Sequence, residues 1–387
     1  MRSSGILILK IMSPIIKYFR RLRSLSKVAP QSLIIYLKGG IGDFLMLIPT
    51  LASIKHHNAT VEVTFIFSRN LESLVRRYDD CYSLFDHIRS LGAEGDDFFY
   101  KIKTLLREIY FGLMYHHDIL YEAWPSNSVM IKIIAAFTRA GTKIGILNHN
   151  IPNLYDIAIK SDSMNIVNVN SIFLKNIHIP FSNRTLKVPI LEKEKEEALI
   201  KSNALGLNVG MSKNNKIRLI ALYPHTQVGI ENSKNWYKES YISLINLLSK
   251  SHEKIFFIIV GSSDDSRFCL DIYNGLETNR NVILFAGKAS LYESCYLASL
   301  CDLFIGIDGG FTHIVHMSEV PSIILWGPTS PQVCGYENSY VKNIFLNVSC
   351  SPCREKVELR GCTNRICFDA IKVEQVASAV SETLNSL

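Results

Sequence analysis

At 387 residues, with 48% hydrophobic and 20% charged residues, the chain is too long for one ordinary core and too apolar for a disordered protein. Two globular domains are expected, and no apolar run approaches the roughly 20 residues that span a bilayer. The formal charge is +7, and all of that excess lies in residues 1–30, which carry Arg2, Lys10, Lys17, Arg20, Arg21, Arg23 and Lys27 and no acid. The rest of the chain balances, which argues against a nucleic-acid partner read through a basic stripe.

In the basic segment Ile15, Ile16, Phe19 and Leu22 recur at roughly helical spacing among the cations. That pattern suits an amphipathic helix lying on an anionic membrane, or a solvated arm. Lys10 interrupts the first apolar run and no small-residue cleavage site follows, so an export signal is not expected and the protein is placed in the cytoplasm. Cys81, Cys269, Cys295, Cys301 and Cys334 are then reduced thiols packed as small hydrophobes.

From Ser32 strands and helices alternate. The runs SLIIYLK (32–38), VEVTFIFS (61–68) and HHDILYEA (116–123) read as strands buried on both faces of a parallel sheet. A helix over SVMIKIIAAFTRAG and a short strand KIGIL follow. Residues 192–207, EKEKEEALIKSNALGL, form a charged helix, and a polar loop leads to a second series. Its strands are IRLIALYP (217–224), KIFFIIVGS (254–262), NVILFAG (281–287), DLFIGIDGG (302–310) and PSIILWGP (321–328). The predicted organisation is a basic segment (1–30), a Rossmann-like α/β domain (31–200), a linker (201–215), a second such domain (216–372) and a C-terminal helix (373–387). The two domains are expected to face each other across a cleft.

Four segments carry chemistry. In LKGGIGDFLMLIP the first strand runs into Gly39, Gly40 and Gly42, where the backbone can turn sharply beside a ligand. Asp43 in that turn is a helix cap, a phosphate-loop residue or a catalytic base, and like-charge repulsion argues against the second. In IGIDGGFTHIVHMSEV a strand ends at Asp308, and a helix is expected to begin at Phe311 or Thr312. Gly309 and Gly310 would let a diphosphate reach the exposed amides, with His313 either donating to a phosphate oxygen or lying idle on the surface. In YPHTQVGIENSKNW the loop residues Thr226, Gln227 and Lys234 are polar enough to meet phosphates, Lys234 as a flexible point charge. In GSSDD, Asp264 or Asp265 would suit a ribose. Finally, Cys350, Cys353, Cys362 and Cys367 are spaced C-x2-C-x8-C-x4-C. Four thiolates so close suit a structural zinc or iron, with free thiols or disulfides as the alternatives.

Taken in order, these segments resemble the heptosyltransferases of glycosyltransferase family 9. The resemblance rests on LKGGIGDFLMLIP, on Lys234-Asn235-Trp236, on GKASL (287–291), and on DGGFTH with the strand end WGPT. It implies a GT-B fold and inverting, metal-free transfer from ADP-heptose to a lipopolysaccharide core or related glycan. It further implies Asp43 as general base, with Gly40, Gly42, Glu122 and Trp124 on the acceptor side. The donor would be held by Thr226, Lys234, Asp264 and Asp308 together with Gly309, Gly310, Phe311, Thr312 and His313. Gly309 stands where the family usually has Ser or Thr. Another nucleotide-sugar donor, a protein acceptor or a non-catalytic sugar-binding module are the alternatives.

Overall fold

The computed structural model describes residues 30–92, 98–125, 128–147, 153–161, 164–182, 184–207, 217–226, 234–250, 255–353, 362 and 365–387. The basic N-terminal segment and Gln227 lie outside the described residues. The chain divides into two compact units between Pro189 and Ile190, upstream of the linker predicted from sequence.

The first unit contains β1 (Ser32–Leu37), α1 (Ile41–His57), β2 (Glu62–Ser68), α2 (Glu72–Tyr82), β3 (His87–Leu91), α3 (Phe98–Met114), β4 (His116–Glu122), α4 (Val129–Phe137), β5 (Arg139–Ile146), β6 (Ile157–Ile159) and α5 (Ile166–Asn176). Its sheet has the order β3-β2-β1-β4-β5-β6 with every pairing parallel. Leu33 to Leu37 are all fully buried, as a central strand covered on both faces requires. Helix α1 is buried from Phe44 to Ile54 and packs beside α5. The helix predicted to run through Gly141 ends instead at Phe137. Thr138 donates its hydroxyl to the Ile134 carbonyl and meets the Tyr36 hydroxyl at 2.9 Å, and the chain turns there directly into β5.

The second unit opens with α6 (Glu192–Ala204), followed by β7 (Arg218–Tyr223), α7 (Lys238–Lys250), β8 (Ile255–Ile259), α8 (Ser266–Asn274), β9 (Val282–Leu284) and α9 (Leu291–Ser299). Then come β10 (Leu303–Ile307), α10 (Gly310–His316), β11 (Ser322–Trp326), α11 (Pro331–Cys334), β12 (Val341–Phe345), α12 (Ile366–Asp369) and α13 (Val373–Asn385). The sheet order is β12-β11-β10-β7-β8-β9, again all parallel. Numbered from its own first strand, this is the 3-2-1-4-5-6 order of the first unit, so both units are doubly wound Rossmann sheets.

The charged helix α6 belongs to this unit and not to the first. Lys201 reaches the buried Glu293 of α9 at 2.8 and 2.9 Å. Glu293 also closes a capping box with Ser290, so the GKASL stretch serves to start α9. Helix α13 packs on α7, β10 and β11, so it is part of the second unit's wall and not a separate appendage. Among the described residues, no helix is long and apolar enough to cross a membrane.

Candidate active site

Ligands of doubly wound sheets bind beyond the carboxyl ends of the strands, where the strand order reverses. In the first unit that point lies between β1 and β4. The turn Lys38–Gly40 leaves β1 there, and α1 begins at Ile41 with Gly40 as its N-cap. Asp43 is therefore not the N-cap. It is the third residue of the helix, and its Oδ2 accepts the Gly40 amide at 2.7 Å. A Cβ on Gly39 would stand 2.5 Å from that same oxygen, so only glycine lets the carboxylate fold back over the turn. The helix start thus carries its own anion, in the place a phosphate would take, and the phosphate-loop reading falls.

At the end of β4, Glu122 is paired within its own unit. It is buried, with Lys132 of α4 at 3.4 Å, and Lys132 also lies 3.1 Å from the Tyr155 hydroxyl. Burial pulls the Lys132 pKa down and Glu122 holds it up, with a net lowering. A buried carboxylate needs such a partner, and Lys132 supplies it. Trp124, two residues on, is half-buried at the strand end, and Gly42 lies half-buried in the first turn of α1.

The corresponding point in the second unit lies between β7 and β10. Asp308 follows β10, and its Oδ2 accepts from Lys234 at 2.6 Å and from the Thr329 hydroxyl at 2.7 Å. His313 Nε2 stands 3.7 Å from Oδ1. Three segments that the sequence separates by up to about a hundred residues thus meet on one carboxylate: the loop after β7, the glycine turn after β10 and the WGPT end of β11. Burial would raise the Asp308 pKa, but the charges of Lys234 and His313 and their hydrogen bonds outweigh it and hold the carboxyl well below its ordinary range. Lys234 is accordingly no solvated point charge; it is buried and locked. Asn235 accepts the Thr226 amide at 2.9 Å and donates to the Thr226 carbonyl at 3.3 Å, which pins the two ends of the loop together. Trp236 is fully buried edge-on to Tyr241 and anchors this lysine.

Helix α10 begins at Gly310, one residue earlier than predicted, with Gly309 as an extended N-cap. A Cβ at Gly309 would lie 3.0 Å from the Tyr223 ring and 3.5 Å from the Thr226 Cβ. The side chains of Tyr223 and Thr226 at the end of β7 lie beside this glycine and are hydrogen-bonded to each other. Phe311 is buried against Tyr223, and Thr312 donates its hydroxyl to the Ile307 carbonyl, leaving its amide as the group that can face a ligand. His313 Nδ1 meets the Tyr336 hydroxyl at 2.7 Å, and Tyr336 stacks on His316. Burial lowers the His316 pKa to about 3, with His313 adding to the effect.

Sequence reasoning passed over His225, which is buried beside Thr226. Its Nδ1 is 2.7 Å from Asp265 Oδ1, and Asp265 Oδ2 accepts from the Ser262 amide and hydroxyl. Burial opposes ionisation of Asp265, but these bonds prevail and lower its pKa. Asp264, its neighbour, is exposed on the turn after β8. The two partners are 40 residues apart and share no motif, so no local signal joins them.

The four clustered cysteines lie at the end of this unit. Burial raises the Cys353 and Cys367 thiols, the latter to about 11, and each is raised further by the other thiols of the set. Among the described residues, no three His, Cys, Asp or Glu side chains stand at metal-binding separation. Arg365 links this segment to the loop of Lys234, donating to the Asn235 carbonyl at 3.1 Å and lying over the Tyr237 ring at 4.1 Å.

The family model described as glycosyltransferase family 9 (heptosyltransferase) matches residues 115–363, which include every segment that meets at Asp308. The chain belongs to this family. The glycosyltransferase family 9 match begins after the Asp43 turn. Among curated relatives, lipooligosaccharide heptosyltransferase 2 of two Campylobacter jejuni strains is 29% identical over 146 residues and 27% identical over 141 residues. These alignments cover 37% and 36% of this chain, and the chain spans 45% and 43% of those relatives. Among solved structures, a family 9 glycosyltransferase from Veillonella parvula has a TM-score of 0.71 at 16% identity, covering 94% of this chain and 99% of that one. ADP-heptose lipopolysaccharide heptosyltransferase II of E. coli has a TM-score of 0.65 at 16% identity, covering 91% and 98%. The fold is that of the GT-B heptosyltransferases.

Proposed function

We propose that the protein is an inverting glycosyltransferase that moves heptose from ADP-heptose to a hydroxyl of a lipopolysaccharide core or related glycan. The observation that carries this reading is the convergence of Lys234, Asp308, Thr329 and His313 at the switch point of the second unit, with the amides of Gly310, Phe311 and Thr312 beside them. Lys234 and Asp308 cancel in charge, so a diphosphate would be met by oriented donors more than by net charge, a preorganised arrangement suited to a leaving group. ADP is favoured as the nucleotide because an E. coli heptosyltransferase of the same fold has been solved with ADP and with ADP-2-deoxy-2-fluoro heptose.

In the reaction, the acceptor oxygen attacks the anomeric carbon as its proton passes to Asp43. The bond from that carbon to the diphosphate oxygen breaks, and its electrons leave with ADP. Asp43 suits the role because its Oδ2 is held by the Gly40 amide, which fixes the carboxylate before substrate arrives. A panel of ADP-, UDP- and GDP-sugars, read by thermal shift and by hydrolysis, tests the reading. ADP-heptose is expected to stabilise the protein most and to be turned over; preference for a UDP- or GDP-sugar would replace the donor. No turnover with any acceptor would leave a binding module.

We further propose that Cys350, Cys353, Cys362 and Cys367 hold one structural zinc or iron. The donor set suits it chemically: the neighbouring thiols raise the pKa of Cys353 and Cys367, and that penalty is lost when a cation takes the protons' place. Metal analysis of protein purified without chelator is expected to give about one ion per chain, lost in Cys353→Ser. A metal-free preparation that melts at the same temperature rules the site out.

A further inference from the structure

Helix α3 presents its apolar residues to solvent. Phe99 is 81% exposed, Leu106 61% and Tyr110 65%, and Leu113 and Met114 are exposed with them. At 100° per residue these five positions fall within one arc of about 100°. The face turned to the protein holds Thr104, Glu108 and Gly112 instead, with Leu105 and Ile109 packed on the core. The helix is amphipathic in the opposite sense from a surface helix that only covers a sheet.

The charges on this helix are one-sided. Lys103 and Arg107 are exposed at one edge of the arc. The helix's one acid, Glu108, is buried and shared between Arg107 at 2.7 Å and Arg89 at 3.0 Å. Two guanidiniums on one carboxylate leave a net positive charge beside the apolar stripe. Packing of this face on a second copy by a twofold axis would bring a second Lys103 and Arg107 to the same interface, with no exposed acid on the helix to answer them. An anionic lipid surface answers both features: the apolar side chains enter the acyl boundary, Tyr110 sits at the headgroups, and Lys103 and Arg107 reach the phosphates.

From this face we infer that α3 docks the first unit on an anionic membrane, independently of the transfer chemistry and of the basic N-terminal segment. The intact chain floats with vesicles of phosphatidylcholine and phosphatidylglycerol and not with phosphatidylcholine alone. Leu106→Ser/Leu113→Ser and Lys103→Glu each weaken that binding at least about tenfold, the second because reversing one surface cation changes the attraction by two charges near such a membrane. Both variants keep the parent's thermal melt, because the altered side chains are exposed. Tyr110→Trp, made in the unaltered background, gives a blue-shifted emission on the anionic vesicles. Three results overturn the inference: flotation unchanged in the Leu106→Ser/Leu113→Ser variant, no emission shift from Tyr110→Trp, or a dimer by light scattering that the serine variant turns into a monomer.

Discussion

Asp43→Asn lowers the rate of transfer by about 10²–10⁴-fold and leaves ADP affinity unchanged. Asparagine is the informative replacement because Asp43 does two things at once. Its Oδ2 accepts the Gly40 amide and so closes the turn that starts α1. An asparagine Oδ1 can accept the same bond, so the turn persists, but it cannot take a proton from the acceptor. Asp43→Ala removes both, and loses a capping interaction of about 1 kcal/mol as well. The comparison separates cap from base: if asparagine retains full activity while alanine does not, Asp43 is a capping residue and the proton goes elsewhere. Steady-state kcat with saturating donor, together with ADP titration, decides it.

Lys234→Met destabilises the second unit by about 3–5 kcal/mol, because it leaves the Asp308 carboxylate buried without its cation. The accompanying fall in Tm is roughly 10 °C. The pH dependence changes sign with it. In the parent, Asp308 titrates below its unfolded value of about 3.9, so the stability it contributes is full above that value and drains away as pH falls. In Lys234→Met the burial that opposes ionisation loses its main counterweight, so the folded carboxyl titrates above the unfolded value. Stability is then highest in acid and is lost as pH rises. Melting curves from about pH 2 to 8 show the two slopes. Lys234→Met/Asp308→Asn removes both charges and recovers most of the Tm, but ADP affinity stays down by roughly tenfold or more if Lys234 meets the diphosphate. Recovery of affinity along with Tm makes the pair structural only.

The central strands were legible because they are buried on both faces and so read as unbroken apolar runs. SLIIYLK, VEVTFIFS and HHDILYEA all appear as strands, shifted by a residue at most. The strands that escaped, β3, β6 and β12, are edge strands. An edge strand is half solvated, and HIRSL or VKNIF carries no run or alternation to betray it. The site divides in the same way. Glycine turns at strand ends announced Asp43 and Asp308, since backbone must turn there whatever the rest of the chain does. His225 gave no such sign, and its pairing with Asp265 could not be read although GSSDD drew notice, because that pairing is made by the parallel alignment of β7 and β8 and not by neighbours in sequence.

What the sequence determined by itself is therefore the alternation of elements, the two sheets and the glycine turns, all of which follow from local burial pattern and local backbone freedom. What tertiary structure decided is the state of each charge. Asp43 caps backwards from inside its helix, Glu122 is sealed against Lys132, and Lys234 is locked to Asp308 and not left in water. A carboxylate or an ammonium takes its character from what replaces the water around it; for Asp43 that is a turn three residues away, but for Glu122 and Lys234 it is a partner 10 and 74 positions away.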